Sequence, residues 1–497
     1  MSASEQDLPS VDYSGLHLWN MSARTVKHPG FHMPGHAGAR FFSPDYAGAI
    51  IKADTTEMSS SDDLHHPVGP ARLAMQESSR IYGSEETIFV TTGSTTGIHV
   101  MLASVVTPDT FLLLPRTVHM SVLHAITLLD IKYAFILYPE SAQDSFYLFP
   151  QLTADVLSRA MERYPEATDI LLVTPDYYGK CADLPALAQI AHAGGCRLLV
   201  DEAHGSHFAF AEDLFPPDAM SSGADICVQS LHKTLPALTM ASQIHISSAA
   251  VKSGRISVSR VWSMLSMFET SSPSFVIAAS SEYALAWMKE FGYKALAEKT
   301  KEIENFIMRL SSSPSLQNIK CELSMHADQL HLVLKTSPRQ AFAPDLMRLL
   351  EDRGIYIEFA DLQRLVLIIS PWQSKYDFDI LFNALFDCAG QICIRNMQTV
   401  QTVFAADRTW GELLTGIPQK AVSLKTAVFG GHERKSVDLS EARGKICASA
   451  IAPYPPGIAV LWPGEIISKE HIELLQTLCN LEFEVRGIDK GKIDIIL

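Results

Sequence analysis

The 497-residue chain is 47% hydrophobic and 19% charged, with a formal charge of −15. That length exceeds one hydrophobic core and calls for two or three domains, and the acidic balance excludes a basic nucleic-acid-binding face. The eight cysteines, at 181, 196, 227, 321, 388, 393, 447 and 479, form no C-x-x-C pair and no metal-ligand spacing. Reduced buried thiols and no metal site are expected. Met1–Asp7 has neither a basic nor an apolar signal region, and no apolar run reaches the length of a membrane span. A cytoplasmic protein without a membrane partner is expected.

Residues 1–50 are rich in Pro, Gly and His around Phe31-His32-Met33-Pro34-Gly35-His36, which predicts an arm laid across another surface. The acid and His cluster Asp62-Asp63-Leu64-His65-His66 lacks further ligands and reads as a loop near the edge of a site. From about residue 70, strands alternate with helices. Strands are predicted at Thr87–Thr91, Phe111–Leu114, Ala134–Leu137, Ile170–Thr174, Arg197–Asp201, Asp225–Gln229 and Gln243–Ile246. The alternation predicts a mostly parallel seven-stranded sheet with helices on both faces, and a ligand site at the strand carboxyl ends. The last two strands are too closely linked for a crossover helix, so one runs antiparallel. A long helix from Ser274 to about Leu310 leads to a smaller α/β section, with strands Leu330–Leu334, Tyr356–Phe359 and Leu365–Ile369 and helices Ala343–Asp352 and Tyr376–Ala389. The division expected is an arm at 1–50, a large domain at 51–305, a small α/β domain at 306–395 and a C-terminal domain at 396–497.

The chemistry concentrates at strand ends. Leu198-Leu199-Val200 runs into Asp201-Glu202-Ala203-His204-Gly205, and Cys227-Val228-Gln229 runs into Ser230-Leu231-His232-Lys233. An acid and an amine separated by one helix and two loops suit pyridoxal phosphate. The lysine makes a Schiff base and the aspartate keeps the ring nitrogen protonated. Taken singly, Lys233 reads as a surface lysine and Asp201 as a helix cap, and it is the accompanying motifs that reverse this. Gly93-Ser94-Thr95 precedes an apolar helix and is either a phosphate cup or a polar helix cap. His119, after a strand, either stacks on a ring or is structural. Ser230 and His232, at alternate positions, can donate to a phosphate.

These segments, with Thr270-Ser271-Ser272-Pro273-Ser274 and Tyr454-Pro455-Pro456-Gly457, resemble the ornithine/lysine/arginine decarboxylase family in its short bacterial form, in matching order from about residue 15 to about 465. The resemblance implies the aspartate-aminotransferase fold (fold type I) and a homodimer or higher homo-oligomer with active sites at the subunit interface. It implies Lys233 as the Schiff-base lysine, Asp201 on the pyridine nitrogen, His119 on the ring and Ala203 beneath it. Gly93, Ser94, Thr95, Ser230 and His232 would hold the phosphate, Ser272 would reach in from the second subunit, and His204 would lie beside the substrate. The sequence departs from the family at Ala37 and Met120, where Lys is frequent, and at Met240, where Gln is; these positions bear on specificity. The activity expected is decarboxylation of arginine, lysine or ornithine, arginine favoured, with His204 or Lys233 returning the proton to Cα. Glu465 is the candidate for the substrate's distal cation, against a plain surface turn acid. The competing readings are an aminotransferase on the same scaffold and a catalytically inactive regulatory paralogue.

Overall fold

A computed structural model describes residues 29–58, 61–139, 146–321, 327–337, 342–389 and 397–497. Most of the predicted arm therefore lies outside the described residues, but its end is anchored. Strand β1 (Gly30–Phe31) pairs in parallel with residues 356–357 of the smaller section.

The large sheet contains β2 (Glu86–Val90), β3 (Phe111–Leu114), β4 (Lys132–Phe135), β5 (Asp169–Val173), β6 (Arg197–Asp201), β7 (Ile226–Gln229) and β8 (Ser242–Ile246), in the order β2-β8-β7-β6-β5-β3-β4. Only β8 is reversed; it pairs antiparallel with both β2 and β7, and every other pairing is parallel. The inner strands read as unbroken apolar runs because helices cover both faces. Leu112, Leu114, Leu171 and Leu199 pack with helices Ser94–Val105 and Met120–Leu129 on one face. Leu113, Ile170, Leu172, Leu198 and Val200 pack with Ala154–Arg163 and Leu184–Ala193 on the other, as the two-residue pleat dictates.

One expectation fails between β6 and β7. The 24 residues from 202 to 225 contain no α-helix, only the 3₁₀ turn Phe208–Phe210. Gly205 and Pro216-Pro217 interrupt any helical run, and side chains replace the missing helical hydrogen bonds. Glu202 accepts from the Ala219 N–H at 2.8 Å and Asp218 from the Met220 N–H at 2.9 Å. Phe208, Ala211 and Phe215 are instead drawn into a core shared with the smaller section.

The helical region after the sheet is Phe275–Trp287, a π-helical turn at Met288–Gly292, and Tyr293–Ser312. Beyond it stand β9 (Ile319–Cys321), β10 (His331–Thr336), β11 (Tyr356–Ile357), β12 (Phe359–Ala360) and β13 (Arg364–Ile368). The antiparallel sheet β12-β13-β10-β9 carries helices Ala343–Glu351 and Lys375–Ala389. The final section packs helices Met397–Thr415 and Lys469–Asn480 on a small sheet of β14 (Arg434–Asp438), β15 (Ile446–Cys447) and β16 (Lys492–Ile496). Among the described residues no helix is long and apolar enough to cross a membrane.

Candidate active site

The carboxyl ends of β2, β5, β6 and β7 converge on a cavity of about 290 Å³, near the lower end of ligand-site volumes. Gly93, Ser94, Thr95, His119, Asp201, Ala203, His204, His232 and Lys233 all line it, together with Tyr177, Thr239 and Met240. Ser230 is fully buried next to it, its N–H donating to the Ala203 carbonyl at 3.3 Å.

The Lys233 amine and the Asp201 carboxyl face this one space. Burial pushes the Lys233 amine down, opposed by the charges of Asp201 and Glu358. Burial pushes the Asp201 carboxyl up, opposed by Lys233 and by the Ala203 N–H that it accepts at 3.2 Å. A lysine brought down toward neutrality is a better nucleophile. His204 Nε2 lies 3.0 Å from Lys233 Nζ, and burial, then Lys233, hold this imidazole well below its usual range. Burial likewise brings His119 down to about 4, so its ring is a neutral, flat surface against the cavity.

The Gly93 loop is built for close backbone approach. Gly93 has φ 89° and opens helix Ser94–Val105 without a side-chain cap, so the first N–H groups of that helix stay available to an anion. Behind the loop, the buried Glu269 accepts from the N–H groups of Thr91 at 2.6 Å and Thr92 at 3.2 Å. Glu269 is a buttress the sequence did not advertise, since it lies 177 residues from Thr92. Ser230 Oγ is buried without a hydrogen-bond partner among the described residues, the kind of orphan that a phosphate oxygen satisfies. His232 Nδ1 lies 3.0 Å from the Ala241 carbonyl, and burial brings the ring down to about 4. A neutral His232 therefore presents Nε2 as an acceptor and donates to a phosphate only once protonated. The donor set, the orphaned hydroxyl and the acid–amine pair fit pyridoxal phosphate.

Two predicted residues stand elsewhere. Ser272 is exposed, in a loop whose Ser274 N–H donates to Thr91 Oγ1 at 3.2 Å, and it does not line the cavity of its own chain. Glu465 is buried outside the cavity, bidentate to Arg116 at 2.7 and 3.1 Å. An acid that sequence reasoning missed lies nearer: Glu358, between β11 and β12, holds the Met33 N–H at 3.0 Å and acts electrostatically on Lys233. Its signal was a single carboxylate inside the apolar run Ile355-Tyr356-Ile357-Glu358-Phe359. Asp62, singled out with its neighbouring histidines, accepts the N–H groups of Asp63, Val68, Gly69 and Ala71 and organises a turn.

Residues 20–342 match the family described as Orn/Lys/Arg decarboxylase, major domain, and residues 414–490 its C-terminal domain. The chain is 34% identical to the uncharacterized protein YaaO of Bacillus subtilis (strain 168), over 95% of each chain. It is 30% identical to an arginine decarboxylase of the same organism, over 94% of each. The lysine decarboxylase LdcF of Francisella novicida superposes with a TM-score of 0.76 at 18% identity, over 99% of this chain and 80% of that one. The architecture is the fold type I arrangement.

Proposed function

Because the chain belongs to the Orn/Lys/Arg decarboxylase family and is an amino-acid decarboxylase, we propose that it converts a basic amino acid, arginine ahead of lysine and ornithine, to its amine and CO2. The lean to arginine is supported by the arginine decarboxylase relative. The observation that carries the proposal is the pairing of Lys233 and Asp201 across one cavity, with a second acid, Glu358, within electrostatic reach of the same amine.

Lys233 would bind pyridoxal 5′-phosphate through its amine, and Asp201 would hold the protonated ring nitrogen. Ser94, Thr95, Ser230 and the first turn of helix Ser94–Val105 would hold the phosphate, joined by Ser272 of a second copy in a cytoplasmic homodimer. Bound there, the group supplies the electron sink for loss of the α-carboxylate. The neutral His119 ring would cover one face of the bound group. Glu358, which like Glu465 does not line the cavity but acts electrostatically on Lys233, would supply the negative charge for the distal cation. His204 or Lys233 delivers a proton to Cα, since their nitrogens lie together at the cavity wall. Arg364, a residue an aminotransferase could turn to the substrate carboxylate, is buried and already paired with Asp407 and Asp361.

Parallel incubations with arginine, lysine and ornithine test the proposal. CO2 with a stoichiometric amine supports it, a keto acid product assigns aminotransferase chemistry, and no product from a cofactor-loaded protein assigns a regulatory role.

A further inference from the structure

A chain of buried side chains runs away from Lys233 into the smaller section. His204 meets Lys233 through Nε2, and its Nδ1 lies 3.1 Å from His331 Nε2. His331 Nδ1 lies 2.7 Å from Asp328 Oδ2, and Asp328 Oδ1 lies 3.0 Å from His207 Nε2. The side chains of His207, Asp328 and His331 have no solvent exposure. The placement is tightly fixed. The Asp328 N–H donates to the Gly179 carbonyl at 2.7 Å, and Asp328 Oδ1 also takes the Leu330 N–H at 2.9 Å. Gly179 has φ 81°, and a Cβ there would come within 2.4 Å of His331 Cβ, so only glycine lets the two strand ends close on the chain.

We propose that Asp328 and His331 are positioning residues that hold His204 in the Nδ1–H tautomer. The inference rests on Lys233 as the imine-forming residue. The logic starts at the carboxylate, the one member of the chain that only accepts. Ionised Asp328 takes the Nδ1–H of His331, which leaves His331 Nε2 as an acceptor. That nitrogen in turn takes the Nδ1–H of His204, which leaves the His204 Nε2 lone pair facing Lys233. The amine then donates one N–H to His204, and its own lone pair is free for an aldehyde carbon. With the opposite tautomer, His204 would donate into the amine's lone pair and occupy the nucleophile. Burial raises the Asp328 carboxyl, but the N–H groups it takes from His331 and His207 favour the ionised form and hold it below the usual carboxylate range, so the acceptor end stays ionised. His207 Nδ1 has no partner among the described residues, which is tolerable for a bare lone pair and costly for an N–H.

The test uses the full-length apoprotein with pyridoxal 5′-phosphate as probe, following the growth of the yellow imine band on mixing. His331→Gln places a carbonyl where Nε2 was and keeps the acceptor; His331→Phe keeps bulk and loses it. The expected rates are wild type and His331→Gln within about threefold of each other, with His331→Phe and Asp328→Asn at least about tenfold slower, as wrong-tautomer variants are. A His331→Phe rate equal to wild type, or a His331→Gln rate as low as that of His331→Phe, overturns the proposal. If the variants lose their folded near-ultraviolet dichroism, ¹⁵N imidazole spectra of the unsubstituted apoprotein decide. An unprotonated Nε2 at His204 supports the tautomer and a protonated one refutes it. Imine formation without CO2 from any basic amino acid would sink the decarboxylase reading and leave this inference standing. A wild type that forms no imine would sink both.

Discussion

Glu465 separates two roles that the sequence could not. The structure buries it and Arg116 to 1% side-chain exposure, joins them by two hydrogen bonds, and adds the Trp462 N–H to the carboxylate at 2.9 Å. Arg116 also donates to the Val460 carbonyl at 2.8 Å and lies 4.7 Å above the Phe135 ring, so the pair fastens the C-terminal section to the end of β3. Glu465→Gln keeps the volume and one acceptor but leaves a buried guanidinium without its counter-charge. Removing one partner of such a pair costs about 3–5 kcal/mol. At roughly 4–8 °C per kcal/mol for a unit of about a hundred residues, the C-terminal transition should fall by roughly 20 °C. Calorimetry measures this, with KM for arginine taken well below the transition. Unchanged stability with a raised KM would refute the structural role and return Glu465 to the substrate.

Ser230→Ala should leave the apoprotein's stability nearly unchanged, because the hydroxyl has no partner to lose among the described residues. It should weaken cofactor retention by about 1 kcal/mol, near fivefold, read by equilibrium dialysis. Asp201→Asn should keep the cofactor yet lower kcat by about 10²–10³, the usual cost of removing a charge-stabilising partner; a wild-type kcat would contradict its place at the ring nitrogen. His245 is fully buried against Thr87 Oγ1 at 2.7 Å and Gln229 Oε1 at 3.1 Å, and burial brings it down to about 3. Below about 6.5 the unfolded chain takes up a proton that the folded one refuses, so stability falls as pH falls, by about 1.4 kcal/mol per unit down to about pH 3. In His245→Gln, thermal midpoints across pH 6.5 to 4 should fall less steeply than in wild type.

What the residue order disclosed follows from period and proximity. Leu112–Leu114, Leu171 and Leu198–Val200 announced a sheet covered on both faces, and the short link between Gln229 and Ser242 announced the reversed β8. The spatial order of the strands is not encoded locally, and neither is the irregular crossing from Glu202 to Asp225, where side-chain acceptors replace a helix. The site was readable where short motifs sit at strand ends: Asp201, His204 and Lys233 each stand within four residues of one. Its support was not readable. Glu269, Asp328 and His331 reach the site only through tertiary contacts across 121 to 178 residues, and no local pattern marks them. Glu465 misled because a turn acid after Trp462-Pro463-Gly464 looks solvent-facing until its guanidinium partner, 349 residues away, is in view.

Borohydride reduction of the cofactor-loaded protein, followed by peptide mapping, tests the central claim most directly. The account predicts a single stable pyridoxyl adduct on the peptide that contains Lys233, lost in Lys233→Ala. An adduct on another lysine, or none in a protein that still releases CO2, would contradict it.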